Sequence, residues 1–280
     1  MAPSLQAACA ARCRRRHTHQ AASDDSDAST GSQAEGSSGA RRSTLPIFPL
    51  NVVALPSATV PLMIFEARYR VLFSTLLSGM DGVEEGLVQH DCDWCGTKRF
   101  GMCYLDNNGN MSSVGTQLEI LEFAGVPDGR LFVTGKGRSR FRVIEVQSEK
   151  PIIVATVEEL PEEPETEEVV ALATEVADLL RSVIRLNIKM QNITATEDQL
   201  EPEELAELGA RDLSYWVGSF FSDVTLLQQN LLEEASTLRR LQKEKEVLSE
   251  TVSYYSAAAA LKTAFASSPD DTDSGASRGS

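Results

Sequence analysis

Four prolines within sixteen residues, at positions 46, 49, 56 and 61, constrain this chain more than any other feature. They interrupt the short apolar runs Leu45-Pro46-Ile47-Phe48-Pro49-Leu50 and Val60-Pro61-Leu62-Met63-Ile64. A proline fixes φ and lacks a backbone donor, so the segment reads as edge strand, bulge and turn; neither helix nor central sheet fits. The punctuation then stops. From Glu66 to Ser78 the pattern turns helical, with Tyr69, Leu72, Phe73, Leu76 and Leu77 on one face and Gly79 as a C-terminal stop. Phe65 is expected to be buried where strand meets helix.

From Leu45 to about Val157 the chain is a succession of short β-rich runs broken by Gly, Asn, Asp and Pro. Asn107-Asn108-Gly109-Asn110 and Pro127-Asp128-Gly129 are hairpin turn signals. Strands at near-regular spacing indicate a small β-barrel, crossed at one end by the helix at 66–78. Gly135-Lys136-Gly137 lies inside a predicted strand, where barrel closure accounts for its glycines better than a phosphate would. Glu158 to Glu168 is an acidic, proline-containing linker. Beyond it the period is helical: Val169, Leu172, Ala173, Val176, Leu179, Leu180, Val183 and Ile184 form one stripe. Pro202 suits the first position of a second helix, with Glu203 and Glu204 in its first turn and Leu205, Leu208, Leu213 and Trp216 along it. Asp223 is the expected N-cap of a third helix reaching about Phe265, roughly 60 Å long at 1.5 Å per residue. Its Leu227, Leu231, Leu238, Leu241, Leu248, Val252 and Tyr255 follow a 4-3 spacing that Glu234 and Lys245 interrupt, with Arg239, Arg240, Lys243 and Glu244 mainly off it. Such a seam packs in the bundle up to about residue 245 and is expected to meet a partner beyond it.

The sequence therefore divides into a leader at 1–44, a β part at 45–160, a helical part at 161–266 and a polar tail at 267–280. The leader and tail are expected to be disordered. Residues 1–20 hold four arginines and no acid, and residues 21–44 are rich in Ser, Gly, Asp and Ala. A leader of that kind reads as an organellar transit peptide, with an untargeted N-terminal tail as the alternative. Six arginines against four carboxylates put almost none of the net charge of −15 in the leader. A body this acidic repels phosphate backbones and anionic lipid, so nucleic acid is not an expected partner. No apolar run approaches the ~18 residues a membrane helix needs.

The body has a single histidine, His90, on which any Ser-His-Asp or Cys-His unit would have to be built. No Gly-x-x-x-x-Gly-Lys-Ser/Thr segment occurs. Catalysis and cofactors are therefore not expected. His90, Cys92, Cys95 and Cys103 could together supply four zinc ligands, and the Cys92-x-x-Cys95 pair could equally be a redox-switchable disulfide or two inert thiols. Trp94 and Trp216 read as packing residues.

The opening motif Phe65-Glu66-Ala67-Arg68-Tyr69-Arg70, after the proline-kinked strand with Pro46, Phe48 and Pro49, resembles the start of the Lon N-terminal domain, the substrate-binding module of ATP-dependent Lon proteases. Val114-Gly115-Thr116 and Gly137-Arg138-Ser139-Arg140-Phe141 are similar to that family's Val-Gly-Thr and Gly-x-x-Arg-Phe strands, and Gln229-Asn230-Leu231-Leu232-Glu233 to its Gln-x-Leu-Leu-Glu. The likeness runs over roughly 45–265 and is to stand-alone organellar members of plants and algae. It implies an α+β fold, a PUA-like six-stranded barrel followed by a helical bundle with a long C-terminal helix. It also implies a chloroplast location (mitochondrion or cytoplasm being the alternatives) and a protein-binding role toward exposed or unfolded segments. That role comes with a proteolytic partner and with a shallow apolar groove between barrel and helices. The alternative is an adaptor that oligomerises or docks through the long helix. Glu66 and Arg68 are expected to bond the proline-rich strand rather than a ligand.

Overall fold

The computed structural model describes residues 41–191, 196, 200–202 and 204–266. The transit-peptide and tail readings lie outside these residues, except that Arg42–Thr44, assigned above to the leader, are strand. That first strand, β1 (Arg42–Leu50), pairs antiparallel with β6 (Ile153–Glu159) from Arg42↔Glu158 to Ile47↔Ile153. It then pairs parallel with β3 (Arg99–Leu105) from Ile47↔Gly101 to Leu50↔Tyr104. Each half of β1 thus has a partner on one side only. Pro46 and Pro49 fall one in each half, where a missing N–H costs no ladder bond.

β2 (Thr59–Ile64), β4 (Met111–Gly125) and β5 (Leu131–Ser148) complete a sheet of order β2-β5-β4-β3-β1-β6. β5 is long enough to take β2 along its first half and β6 along its second, so the sheet closes on itself. The turns sit where Gly109 and Gly129 adopt φ of +83°. Gly137 also has a definite role. A Cβ there would run into the Leu55 carbonyl, and the Gly137 backbone exchanges hydrogen bonds with Ser57 and Ala58. Gly101 and Gly115 make room for the Phe141 ring, which a Cβ at either would meet at 2.7 or 2.8 Å.

Helix α1 (Ala67–Leu76) plugs one end of the barrel. Its Tyr69 and Phe73 meet Phe48 edge-on at 4.5 and 5.5 Å, and Phe73 meets Phe100 at 5.0 Å. Aromatic pairs of this geometry add to the burial of their area. Phe65 is a different matter: it is 62% exposed, contrary to the burial expected from the sequence. Leu62 and Ile64 point into the barrel, so period-two alternation turns Met63 and Phe65 outward.

The helical part begins with α2 (Glu167–Gln191), whose stripe forms the core it promised. The second helix is broken at Leu208–Gly209 into α3 (Glu204–Glu207) and α4 (Ala210–Gly218). The linker supplies the reason for the break, since the Arg211 N–H donates to Glu165 Oε1 at 2.9 Å, a carboxylate at the α4 N-terminus. The third helix is also two: α5 (Thr225–Glu233), with Val224 rather than Asp223 at its N-cap, and α6 (Thr237–Ala266).

α2 and α6 run side by side in the same direction. Lys245 pairs with Glu175 near one end, and Lys262 donates to the Met190 carbonyl near the other. Leu241, Leu248 and Tyr255 are buried in this contact, with Leu238 and Val252 packed against it. The seam beyond residue 245 therefore has its partner within the chain, where the sequence suggested an external one.

Candidate functional site

Three features of the surface and the interior bear on function: an apolar patch, a charged groove, and the joint behind that groove. The patch lies on the outer face of β2 and β5. Met63 and Phe132 are opposite one another in the ladder and are 46% and 44% exposed; Phe65 follows one alternation further on. Ala124 of β4 stands opposite Phe132 on its other side and is exposed as well. Large apolar side chains clustered in water mark a contact surface more often than scattered ones do. Beside them Arg68 bonds Glu66 at 2.9 Å and lies over the Tyr69 ring at 4.5 Å. Neither residue is bonded to the proline-rich strand as expected. They form an exposed rim instead.

The groove lies where the barrel faces the helices, with a volume of about 1130 Å³. The resemblance implies an apolar groove here; its walls mix apolar and charged side chains. Arg41, Arg99, Lys136, Arg138 and Arg211 line it together with Asp93, Glu119, Glu159, Glu162 and Asp212. Arg138 pairs with Glu119 at 2.8 Å and Arg211 with Asp212 at 3.1 Å. The reason is again alternation: the outward residues of β5 next to its two glycines are Lys136 and Arg138, while Val133 and Phe141 of the same strand are buried.

Behind the groove is the joint. Arg140, of the Gly-x-x-Arg-Phe strand, has no exposed side-chain surface. Its Nε donates to Glu162 Oε1 at 2.7 Å, its Nη1 to the carbonyls of Leu232 and Glu234 at 3.0 and 2.9 Å, and its Nη2 to Pro161 at 3.4 Å. Arg240 of α6 is equally buried and donates to Ser214 Oγ, Thr237 Oγ1 and the same Glu234 carbonyl. The Tyr215 hydroxyl donates to Glu162 at 2.9 Å while its ring lies 4.1 Å under the Arg240 guanidinium. Burial pushes that hydroxyl far above the usual tyrosine range.

The break between α5 and α6 follows from this arrangement. Buried guanidinium groups need acceptors, and the carbonyls of Leu232 and Glu234 serve the arginines. Gln229 adds a bond from Nε2 to the Val114 carbonyl at 3.2 Å, and Leu55, Val114, Tyr215 and Leu232 form the apolar remainder of the joint. In the sequence Arg140 and Phe141 stand out only as motif residues, and Arg240 and Glu244 fall off the seam. Arg240 and Glu244 are fully buried. The one available signal was the charge at Glu234 that interrupts the heptad.

Glu244 stands near Arg240 with neither carboxylate oxygen hydrogen-bonded among the described residues. Burial raises its carboxyl well above the ordinary glutamate range, and the Arg240 charge offsets this only in part. The folded state thus holds the proton to higher pH than the unfolded chain does. The stability it contributes is complete below the unfolded value and declines as pH rises toward the folded one. Glu244→Gln stays neutral. Its melting temperature is expected to exceed that of the parent at about pH 8 and to converge with it near pH 4; a constant difference across that range would refute this account.

The cysteines do not assemble. Cys103 is enclosed in the barrel beside Gly115 and Phe141, its thiol pushed up to about 12 by burial. Cys92 and Cys95 are half-buried free thiols in the loop that folds back on α1; Cys92 donates to the Gln89 carbonyl at 3.3 Å, and burial raises its thiol too. Among the described residues no group of three or more His, Cys, Asp or Glu could hold a metal ion. This corrects the four-ligand set His90, Cys92, Cys95 and Cys103. Trp94 of the same loop packs on the barrel core, and Trp216 meets Phe220 at 4.7 Å. Thr116 of the Val-Gly-Thr strand donates to the Ala54 carbonyl at 2.6 Å, which ties the β1–β2 loop to the barrel.

A closed sheet plugged by one helix and latched at its side to a helical bundle is an α+β module, and comparison with known proteins places it. The chain belongs to the family of the ATP-dependent protease La (LON) substrate-binding domain, whose model matches residues 44–250. It is 28% identical over 148 residues to a Lon protease of Flavobacterium johnsoniae, an overlap of 51% of this chain and 17% of that protein. The chain therefore spans well under a quarter of that relative's length. Among solved structures, the N-terminal domain of a Mycobacterium avium complex Lon protease shares the fold with a TM-score of 0.52 at 18% identity, covering 75% of this chain and 98% of that one. A Lon N-terminal domain protein from Xanthomonas campestris aligns with a TM-score of 0.48 at 24% identity, over 72% and 96%.

Proposed function

We propose that this chain is a non-catalytic recognition module that binds exposed apolar segments of polypeptide and presents them to a proteolytic partner. The observation that carries the reading is the solvent-facing cluster of Met63, Phe65 and Phe132 on a member of a substrate-binding family. Apolar contact tolerates sequence variation, which suits a receptor for unfolded chains. The adaptor alternative rested on the α6 seam, and α2 fills that seam. We also propose chloroplast targeting by residues 1–44, to be followed by the location of a fluorescent protein fused behind them; a fusion left in the cytoplasm would refute it.

Reduced, carboxymethylated lactalbumin is a suitable probe, being permanently unfolded. A triple change Met63→Ser, Phe65→Ser and Phe132→Ser is expected to weaken its binding by at least about tenfold, as removal of aromatic anchors does. Each single change, Phe65→Ala included, is expected to alter unfolding stability by less than about 1 kcal/mol, because the side chains are exposed. The purified protein is expected to release neither phosphate from ATP nor peptides from casein. Unchanged lactalbumin binding by the triple variant, or turnover abolished by a point change in this chain, would sink the proposal.

A further inference from the structure

The outward residues of β5 run Phe132, Thr134, Lys136, Arg138, so the apolar patch and the charged groove share one strand face. The ladder sets what flanks them. Met63 lies opposite Phe132 at one end, and Arg99, Glu119 and Lys136 form a cross-strand row toward the other. At ~3.3 Å per residue the apolar and charged ends are about 13–20 Å apart.

The groove also lacks the acidic excess of the protein. Five cations meet five carboxylates in its walls, in a chain of net charge −15. Glu119, Glu162 and Asp212 are each held by an arginine of the groove or joint. Arg41, Arg99 and Lys136 form no ion pair among the described residues, against Asp93 and Glu159 on the acidic side. The uncommitted charge is positive.

We infer that this face is a single two-part binding strip for an extended polypeptide segment that carries an apolar cluster and, four to six residues away, acidic side chains. The inference rests on the proposed function and adds a substrate class to it: Met63, Phe65 and Phe132 hold the apolar part, and Arg99 and Lys136 draw the carboxylates into the groove. On an acidic body, such a local field favours one partner charge and repels the other, so it selects among unfolded segments that apolar contact alone would treat alike.

Three labelled peptides test it. All carry the same Phe/Leu cluster and the same flexible spacer of five residues, and end in three Asp, three Ser or three Lys. Fluorescence anisotropy is expected to show the Asp peptide bound about five- to tenfold more tightly than the Ser peptide, the sum of two exposed charge pairs. The Lys peptide is expected to be weakest. The Asp advantage is expected to vanish in high salt and in Arg99→Gln/Lys136→Gln, a double variant that leaves the Arg138–Glu119 pair in place and whose fold is checked by its melting curve. Equal binding of the Asp and Ser peptides would overturn the strip while leaving apolar recognition standing. No binding of any peptide would remove both. An Asp advantage that survives in the folded double variant would place the acidic site elsewhere and overturn the inference. Competition by a short single-stranded oligonucleotide as effective as the Asp peptide would overturn it too, because the groove would then read phosphate.

Discussion

Arg140→Met is expected to destabilise the protein by about 3–5 kcal/mol, measured as a shift in the urea midpoint at unchanged slope. The change removes a guanidinium that is buried with four acceptors: Glu162 and the carbonyls of Pro161, Leu232 and Glu234. Those groups stay where they are: Tyr215 and Arg240 still donate to Glu162 and Glu234, but the Leu232 and Pro161 carbonyls lose this donor, and an acceptor left unpaired in the interior costs more than its bond contributes. Arg140→Lys retains the charge but cannot fork toward acceptors from two separate segments of the chain, so it is expected to recover only part of the loss. A change below about 1 kcal/mol for the Met variant would mean that the joint is held by Leu55, Val114, Tyr215 and Leu232 alone.

The second large effect is on the α2–α6 contact. Leu241→Asp combined with Leu248→Asp puts two carboxylates where the parent side chains are 0% and 1% exposed. Each must be ionised without a partner or protonated at a cost, and the pair is expected to cost about 5 kcal/mol or more, a large fraction of the stability of a typical domain. Light scattering on whatever remains folded at low temperature is expected to give the same molar mass as the parent. If the variant instead melted normally and lost a dimer, the seam would be an intermolecular surface and the packing of α6 on α2 would be wrong.

The fold could be read from the sequence wherever a pattern was local and periodic. The proline punctuation, the α1 face from Tyr69 to Leu77, both glycine hairpins and the α2 stripe all report contacts that recur every two, three or four residues. The breaks at Gly209 and at 234–236 could not be found in this way. Each depends on a side chain from a distant segment, Glu165 in one case and Arg140 in the other, that takes up backbone groups a continuous helix would have paired internally. The surface was legible only in part. Phe65 is a junction residue that can be read as the last of a strand or the first of a helix; the burial of Leu62 and Ile64 decides in favour of the strand. The charge of the groove belongs to four strands and a helix at once, and nothing in any single segment gives it away.

The Glu234 carbonyl accepts from a guanidinium of the barrel and from one of the bundle. The two parts that the sequence separates at residue 160 are therefore not interchangeable modules, each folding to its own plan. A fragment beginning near residue 161 would keep Arg240 but lose Arg140, and with it the partner that holds the chain open between α5 and α6. Such a fragment has every reason to zip residues 225–266 into one rod, the very helix its sequence describes. The barrel thus edits the shape of the bundle, and any partner that grips one half has mechanical purchase on the other.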